Sequence, residues 1–390
     1  MSTDQQTVVE QESNQAAPSN GDAASSNGQS ALPPLRSLHT ENLPGILNEL
    51  KISLVVSTYQ AGKLVFLRAD EGKINTHFCG FPRPMGVAIE GDRLAVGGGM
   101  RIWQFHNMPA VAAKREPAGK YDACFLPRSA HMTGDIQVHE MGYGHDGLWV
   151  VNTRFSCLCT LDGLHSFVPR WCPPFITALA PEDRCHLNGL CLVRGPPCFA
   201  TALGETDSQG GWRANKKDGG ILIEVMTGKI LVRGLSMPHS PRWYENRLWV
   251  LESGKGGFGY VDPEKLEYVR VAELPGFTRG LDFCGPLAFI GLSQVRETAI
   301  FSGIPITEQK LERRSGVWVV NIHTGETAAY LQFEEAVQEL FAVQVLANRR
   351  FPDLIDDFNP VNADSFELPD EALDFVPEKM RVRWPQHSMA

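Results

Sequence analysis

Three histidines, His139, His186 and His239, open successive stretches of related pattern, and they are the residues of this 390-residue chain most suited to chemistry. HEMGYGHDGLWVVNTR (139–154) matches HSPRWYENRLWVLESG (239–254), with His on His, Tyr143 on Trp243, and Leu148-Trp149-Val150 on Leu248-Trp249-Val250. Weaker copies are PMGVAIEGDRLAVGGG (84–99), HLNGLCLVRGPPCFATALG (186–204) and TRGLDFCGPLAFIGLSQ (278–294), and ELFAVQVL (339–346) adds a last opening. Aligned on Gly86, Gly142, Gly189, Arg242, Gly280 and Ala342, the copies carry Arg83, His139, His186, His239, Phe277 and Glu339 three places earlier.

Imidazoles repeated at one position can converge on a single divalent transition metal, leaving coordination sites open for water or substrate. They can equally line a metal-free pocket for a polar ligand, or hydrogen-bond one another as structural groups. Glu339 and His186 are the candidates for moving a proton. Arg83 and Arg279 suit a carboxylate, sulfate or phosphate, because a guanidinium fork matches such anions with two parallel hydrogen bonds. Asn152, Arg154, Asn188, Glu252 and Gln294 add polar groups at strand ends and loops on the same face. The expected function is binding of a small polar or anionic ligand, with metal-dependent hydrolase, lyase or lactonase chemistry in view. The alternative is a binding module for a protein, peptide or glycan, and the residues leave enzyme against module open. GGGMR (97–101) and SGKGG (253–257) lack the spacing of a phosphate loop.

The repeats must be positioned by short strands. Each copy reads as strand, tight turn, strand, and a second hairpin follows at turns such as ADEGK (69–73), MTGK (226–229), VDPEK (261–265) and HTGE (323–326). A period of roughly 50 residues with four strands per unit predicts an all-β, six-bladed β-propeller. The 37 Gly and 26 Pro fit that many turns. SLVVSTYQAGKLVFLRADEGKINTHFCGF (53–81) supplies three strands without an opening one, and ELFAVQVL supplies an opening strand alone. Three N-terminal strands plus one C-terminal strand therefore close the ring, leaving no open seam. The long loops 204–219 and 291–315 exceed what a hairpin needs and read either as lids or binding elements or as variable surface; Phe301 and Ile304, poorly suited to water, favour packing of the second over the opening.

LVVSTYQAGKL (54–64), PRPMGVAI (82–89), HLNGLCLV (186–193), GLSMPHSPRW (234–243) and GFTRGLDF (276–283) carry a resemblance to a bacterial family of conserved hypothetical proteins, a domain of unknown function. The resemblance spans about 40 to 355 and implies a propeller-like fold without an assigned activity. Some members of that family are joined to tetratricopeptide repeats, of which this sequence has none.

The ends read differently. Residues 1–40, rich in Ser, Asn, Gln and Ala, are expected to be disordered, the propeller to span 46–350, and the Pro- and acid-rich 351–390 to be partly packed. A formal charge of −9 with no basic stripe argues against nucleic-acid and anionic-membrane partners. The absence of a leader pattern and nine scattered cysteines predict a reducing cytoplasm.

Overall fold

A computed structural model describes residues 6–9, 35–295, 302–309 and 312–381. Strands β1 (Gln6–Val9) and β2 (Ser37–Thr40) precede helix α1 (Leu43–Leu50), and β3 (Ile52–Thr58), β4 (Lys63–Asp70) and β5 (Lys73–Gly80) follow it. The second blade is β6 (Pro84–Glu90), β7 (Arg93–Gly98), β8 (Arg101–Asn107) and β9 (Ala123–Met132). The third is β10 (Val138–Gly144), β11 (Gly147–Asn152), β12 (Cys157–Thr160) and β13 (Val168–Trp171). The fourth is β14 (Leu187–Leu192), β15 (Pro197–Ala202), β16 (Gly220–Glu224) and β17 (Ile230–Leu235). The fifth is β18 (Pro238–Tyr244), β19 (Arg247–Glu252), β20 (Gly257–Asp262) and β21 (Glu267–Glu273). The sixth is β22 (Phe277–Cys284), β23 (Leu287–Ser293), β24 (Ser315–Asn321) and β25 (Thr327–Phe333), and β26 (Val343–Ala347) and β27 (Pro352–Leu354) end the series.

These strands form six sheets, a six-bladed β-propeller. The first blade runs β26-β3-β4-β5, three N-terminal strands paired with one from the far end of the ring. The closing strand begins at Val343, four residues later than the sequence pattern suggests. Both chain ends overrun the seam. β2 and β1 extend the sixth blade beyond β25, and β27 pairs parallel with β9 on the rim of the second. Two pieces of the 1–40 stretch expected to lack order, Gln6–Val9 and Ser37–Thr40, are thus strands, and residues 1–5 and 10–34 lie outside the described residues. Beyond residue 350, Phe351, Leu354 and Ile355 are buried, whereas Phe358 and Phe366 face solvent.

The core explains why the strands read as almost unbroken apolar runs. Successive side chains of a strand point to opposite faces of its sheet, and here both faces meet a neighbouring blade. Leu54 and Val56 of β3 pack with Phe289, Val317 and Val319 of the sixth blade, while Val55 between them packs with Val96 and Trp103 of the second. On β24, Val317 and Val319 join that first cluster, and Trp318 and Val320 face Trp249 of the fifth blade. Three such clusters lie between the remaining neighbours, as where Met141, Val150 and Cys159 meet Ala88 and Ile102. Rigid sheets so wedged hold the inner strand ends in fixed positions around the axis.

Candidate functional site

Every inner strand enters the hub with an irregularity that aims side chains at the axis. On β6, Pro84 pairs with Gly98 but Val87 with Val96, so Met85 and Gly86 share one partner position. The same one-residue bulge occurs on β10 between Val138 and Met141, on β14 between Leu187 and Gly189, on β18 between His239 and Arg242, and on β22 between Thr278 and Leu281. In the closing blade, the Phe341 amide donates to the Ser57 carbonyl and the Ser57 amide to the Ala342 carbonyl, so two residues again face one. A bulge bends its strand and re-aims a side chain. Just before four of these strands Arg83, Gln137, His186 and Met237 adopt left-handed φ values of 47°, 54°, 51° and 47°.

These landmarks sort the hub residues into two tiers. The outer tier is Arg83, Gln137, His186, Met237, Phe277 and Glu339. The inner tier, two residues later, is Met85, His139, Asn188, His239, Arg279 and Phe341. All of the outer tier and all of the inner tier except Asn188 line one cavity of about 430 Å³ at the mouth of the hub. Asn188 lies deeper, where its side chain donates to the Pro238 carbonyl and accepts from Thr201.

The alignment read from the sequence needs correction on this point. His139 and His239 are equivalent, but His186 belongs to the outer tier with Gln137 and Met237. Gly142 and Arg242 were matched to Gly86, where the bulge makes Glu140 and Ser240 the true counterparts. A bulge is invisible as a hydrophobic pattern, so an alignment on small residues slips by two.

The three rings nevertheless meet. The His139 and His186 centroids are 4.7 Å apart and those of His139 and His239 6.5 Å. His239 Nδ1 lies 2.9 Å from the Met237 carbonyl and 3.0 Å from Ser253 Oγ. His139 repeats this two blades earlier, with Gln137 and Thr153 as partners. A carbonyl only accepts, so His239 Nδ1 carries the proton and its Nε2 keeps a lone pair. Thr153 Oγ1 donates to the Leu187 carbonyl and therefore accepts from His139 Nδ1. That leaves His139 Nε2 as acceptor for His186 Nε2 at 3.2 Å. The other nitrogen of His186 faces both oxygens of Asp183 at 2.9 and 3.1 Å, and Asp183 also accepts from Trp212 Nε1 at 2.9 Å. Asp183 is thus the carboxylate that faces Nδ1 of His186. Burial holds the pKa values of His139 and His239 well below the ordinary histidine range, and the nearby cations add to the effect.

Against a metal site, the geometry is short of ligands. Only two imidazole nitrogens face each other, and among the described residues no group of three His, Cys, Asp or Glu side chains stands ready to hold an ion. A three-histidine metal centre, one of the readings the sequence leaves open, is not assembled by the described side chains as they stand.

Arg279 is the unusual charge of the hub. Its guanidinium stacks over the Phe341 ring at 3.4 Å, and its Nε is buried without a hydrogen-bond partner. Among the described residues it makes no ion pair. Burial pulls the Arg279 pKa down to about 9, and Glu339 is the carboxylate whose charge most offsets that effect. Arg83 is nearer solvent, 3.4 Å from Asp135.

Of the other expected ligand residues, Gln294 lines the cavity. Asn152, Arg154 and Glu252 do not. Asn152 caps the Phe155 amide, Arg154 donates to the Asp135 carbonyl, and Glu252 is buried against Lys255 and Arg270. Asp183 and Trp212 are cavity residues that the repeat pattern did not single out. Trp212, alone in the otherwise polar loop 204–219, was the signal available. It packs against His186 at 4.5 Å and joins Phe277, Val295, Ile304 and Ile306 in an apolar cluster at the mouth. Both long loops therefore contribute to the rim; Glu297 and Phe301 lie outside the described residues.

A family model described as a domain of unknown function (DUF4915) matches residues 41–355. No curated protein matches the chain. Among solved structures, a chain from the crystal structure of a nidogen/laminin complex is similar at a TM-score of 0.49 and 10% identity, over 76% of this chain and 99% of that one. A protein of unknown function from Bacteroides caccae is similar at 0.48 and 11% identity, over 76% and 98%.

Proposed function

We propose that this chain, which belongs to the DUF4915 family of unknown function, binds a small anionic ligand in its hub cavity, with Arg279 as the anchor. The observation that carries this reading is the buried Arg279 guanidinium, whose Nε has no hydrogen-bond partner and which makes no ion pair among the described residues. A desolvated cation that no carboxylate touches is costly to keep, and an anion entering the cavity adds a direct counter-charge and accepts its N–H groups. Arg83 at the rim supports the same choice of ligand, and Phe341 fixes the guanidinium plane. The chemistry that the hub can add is proton transfer, with Asp183-paired His186 as the acid and Glu339 as a carboxylate on the facing side. No step through a metal is required.

Calorimetric titration of the purified chain with acetate, sulfate and phosphate series is the test. Binding of at least one series, weakened roughly 10- to 100-fold in Arg279→Met, is expected. Equal binding by the variant would overturn the reading. The metal-free part has its own test: elemental analysis finding close to one equivalent of a transition metal, lost in His186→Ala, would contradict it. The nine free cysteines fit a cytoplasmic setting for this activity. No helix among the described residues is long and apolar enough to cross a membrane.

A further inference from the structure

We infer that the anion is a hydroxylated carboxylate of the acidic-sugar class, held by Arg279 through its carboxylate and by His239 Nε2 through a hydroxyl. This rests on the anion reading above and narrows it. The support is the fixed tautomer of His239. Its Nδ1 proton is committed to the Met237 carbonyl at 2.9 Å, so Nε2 can only accept. His239 is 3% exposed and lines the cavity, and its Nε2 has no hydrogen-bond partner among the described residues. The equivalent nitrogen of His139 is already satisfied by His186. The cavity therefore places an accepting imidazole nitrogen, His239 Nε2, in the same lining as the Arg279 cation.

A plain carboxylate answers the guanidinium and leaves the imidazole acceptor unused. A carboxylate with a hydroxyl answers both. The walls agree: edges of Trp212 and Phe341 give the cavity apolar surface, and Gln294 and Glu339 offer polar groups for further hydroxyls. A site built to bond a substrate hydroxyl discriminates strongly against the analogue lacking it.

Titration of the full chain with glucuronate, galacturonate, cyclohexanecarboxylate and glucose decides the matter. At least one of the two uronates should bind about tenfold or more tighter than cyclohexanecarboxylate, and glucose more weakly than either. In His239→Phe the favoured uronate should fall to the level of cyclohexanecarboxylate, whose own affinity stays unchanged. Equal affinity of uronates and cyclohexanecarboxylate in the unaltered chain would overturn the acidic-sugar assignment while leaving the anion reading standing. Glucose binding as tightly as the uronates would overturn the anion reading, and no binding by either carboxylate type would overturn the acidic-sugar assignment, with the sulfate and phosphate titrations deciding the anion reading. The comparison of the four compounds needs no variant, so a misfolded His239→Phe does not shelter the proposal.

Discussion

Arg279 ties ligand capture to a stability cost. A buried guanidinium without a partner is worse than a well-packed apolar side chain of similar length, whereas a merely structural arginine would be missed on removal. Arg279→Met should therefore leave the free protein as stable or more stable by about 1 kcal/mol while losing the anion. Chemical denaturation alongside titration measures both, and a large loss of stability would mean that Arg279 holds the hub together. The histidines give a second test at this scale. In the unfolded chain they protonate near pH 6.5, and in the fold burial keeps His139 and His239 neutral to well below that. The unfolded state then binds more protons, so stability falls as pH drops below about 6.5, by up to about 1.4 kcal/mol per pH unit for each group. The melting temperature of His239→Gln should fall less steeply between pH 7 and 5 than that of the unaltered chain, and parallel profiles would contradict the burial argument.

The bulged inner strand is the element on which the site depends. Gly280 occupies the bulge of β22 at φ 80°, and a Cβ there would stand 2.5 Å from the Val343 amide. Gly91, in the turn after β6, has φ 57° with open space around it. Gly280→Ala should cost well over 2 kcal/mol, because closing strand and bulge must both shift, against about 1 kcal/mol for Gly91→Ala. Thermal melts of the two variants compare them, and similar losses would mean that the bulge is not held by that contact. The same bulge marks where the sequence stops being readable. Strand, turn and blade count follow from apolar periodicity and turn residues, and both halves of the closing blade could be found that way. Which residue of an opening strand faces the axis depends on an extra residue with no periodic signature. Hence Arg83, His186, Phe277 and Glu339 share one tier while His139 and His239 lie in the next, a two-residue offset that the repeat pattern does not carry. Asp183 and Trp212 come from loops, where no repeat constrains them, and their meeting with His186 is a tertiary fact.

At the scale of the whole molecule, the ring depends on its one mixed blade. A chain ending at Glu339 lacks β26, exposes the inner edge of β3 and opens the Phe341 side of the cavity. It should lose cooperative unfolding and aggregate, since an unpaired apolar edge recruits other chains. A chain ending at Ile355 keeps β26 and β27 and loses the segment with the exposed Phe358 and Phe375, so its melting should change little. What that segment supplies is surface contact, such as Glu367 with His106 and Arg128, which contributes about 1 kcal/mol or less. Circular dichroism melts of both truncations test the contrast; cooperative melting of the shorter chain would mean that closure is dispensable.

The parallel pairing of β27 with β9 also has a mechanical reading. Tension applied at the C-terminus, as by an unfoldase, meets β27 on the rim of the second blade before it reaches β26 at the hub. Two grips in series must fail in a set order, a three-residue clasp and then the latch of the ring. An optical trap pulling from that end should record a small rip followed by a large one, with the cavity intact until the second.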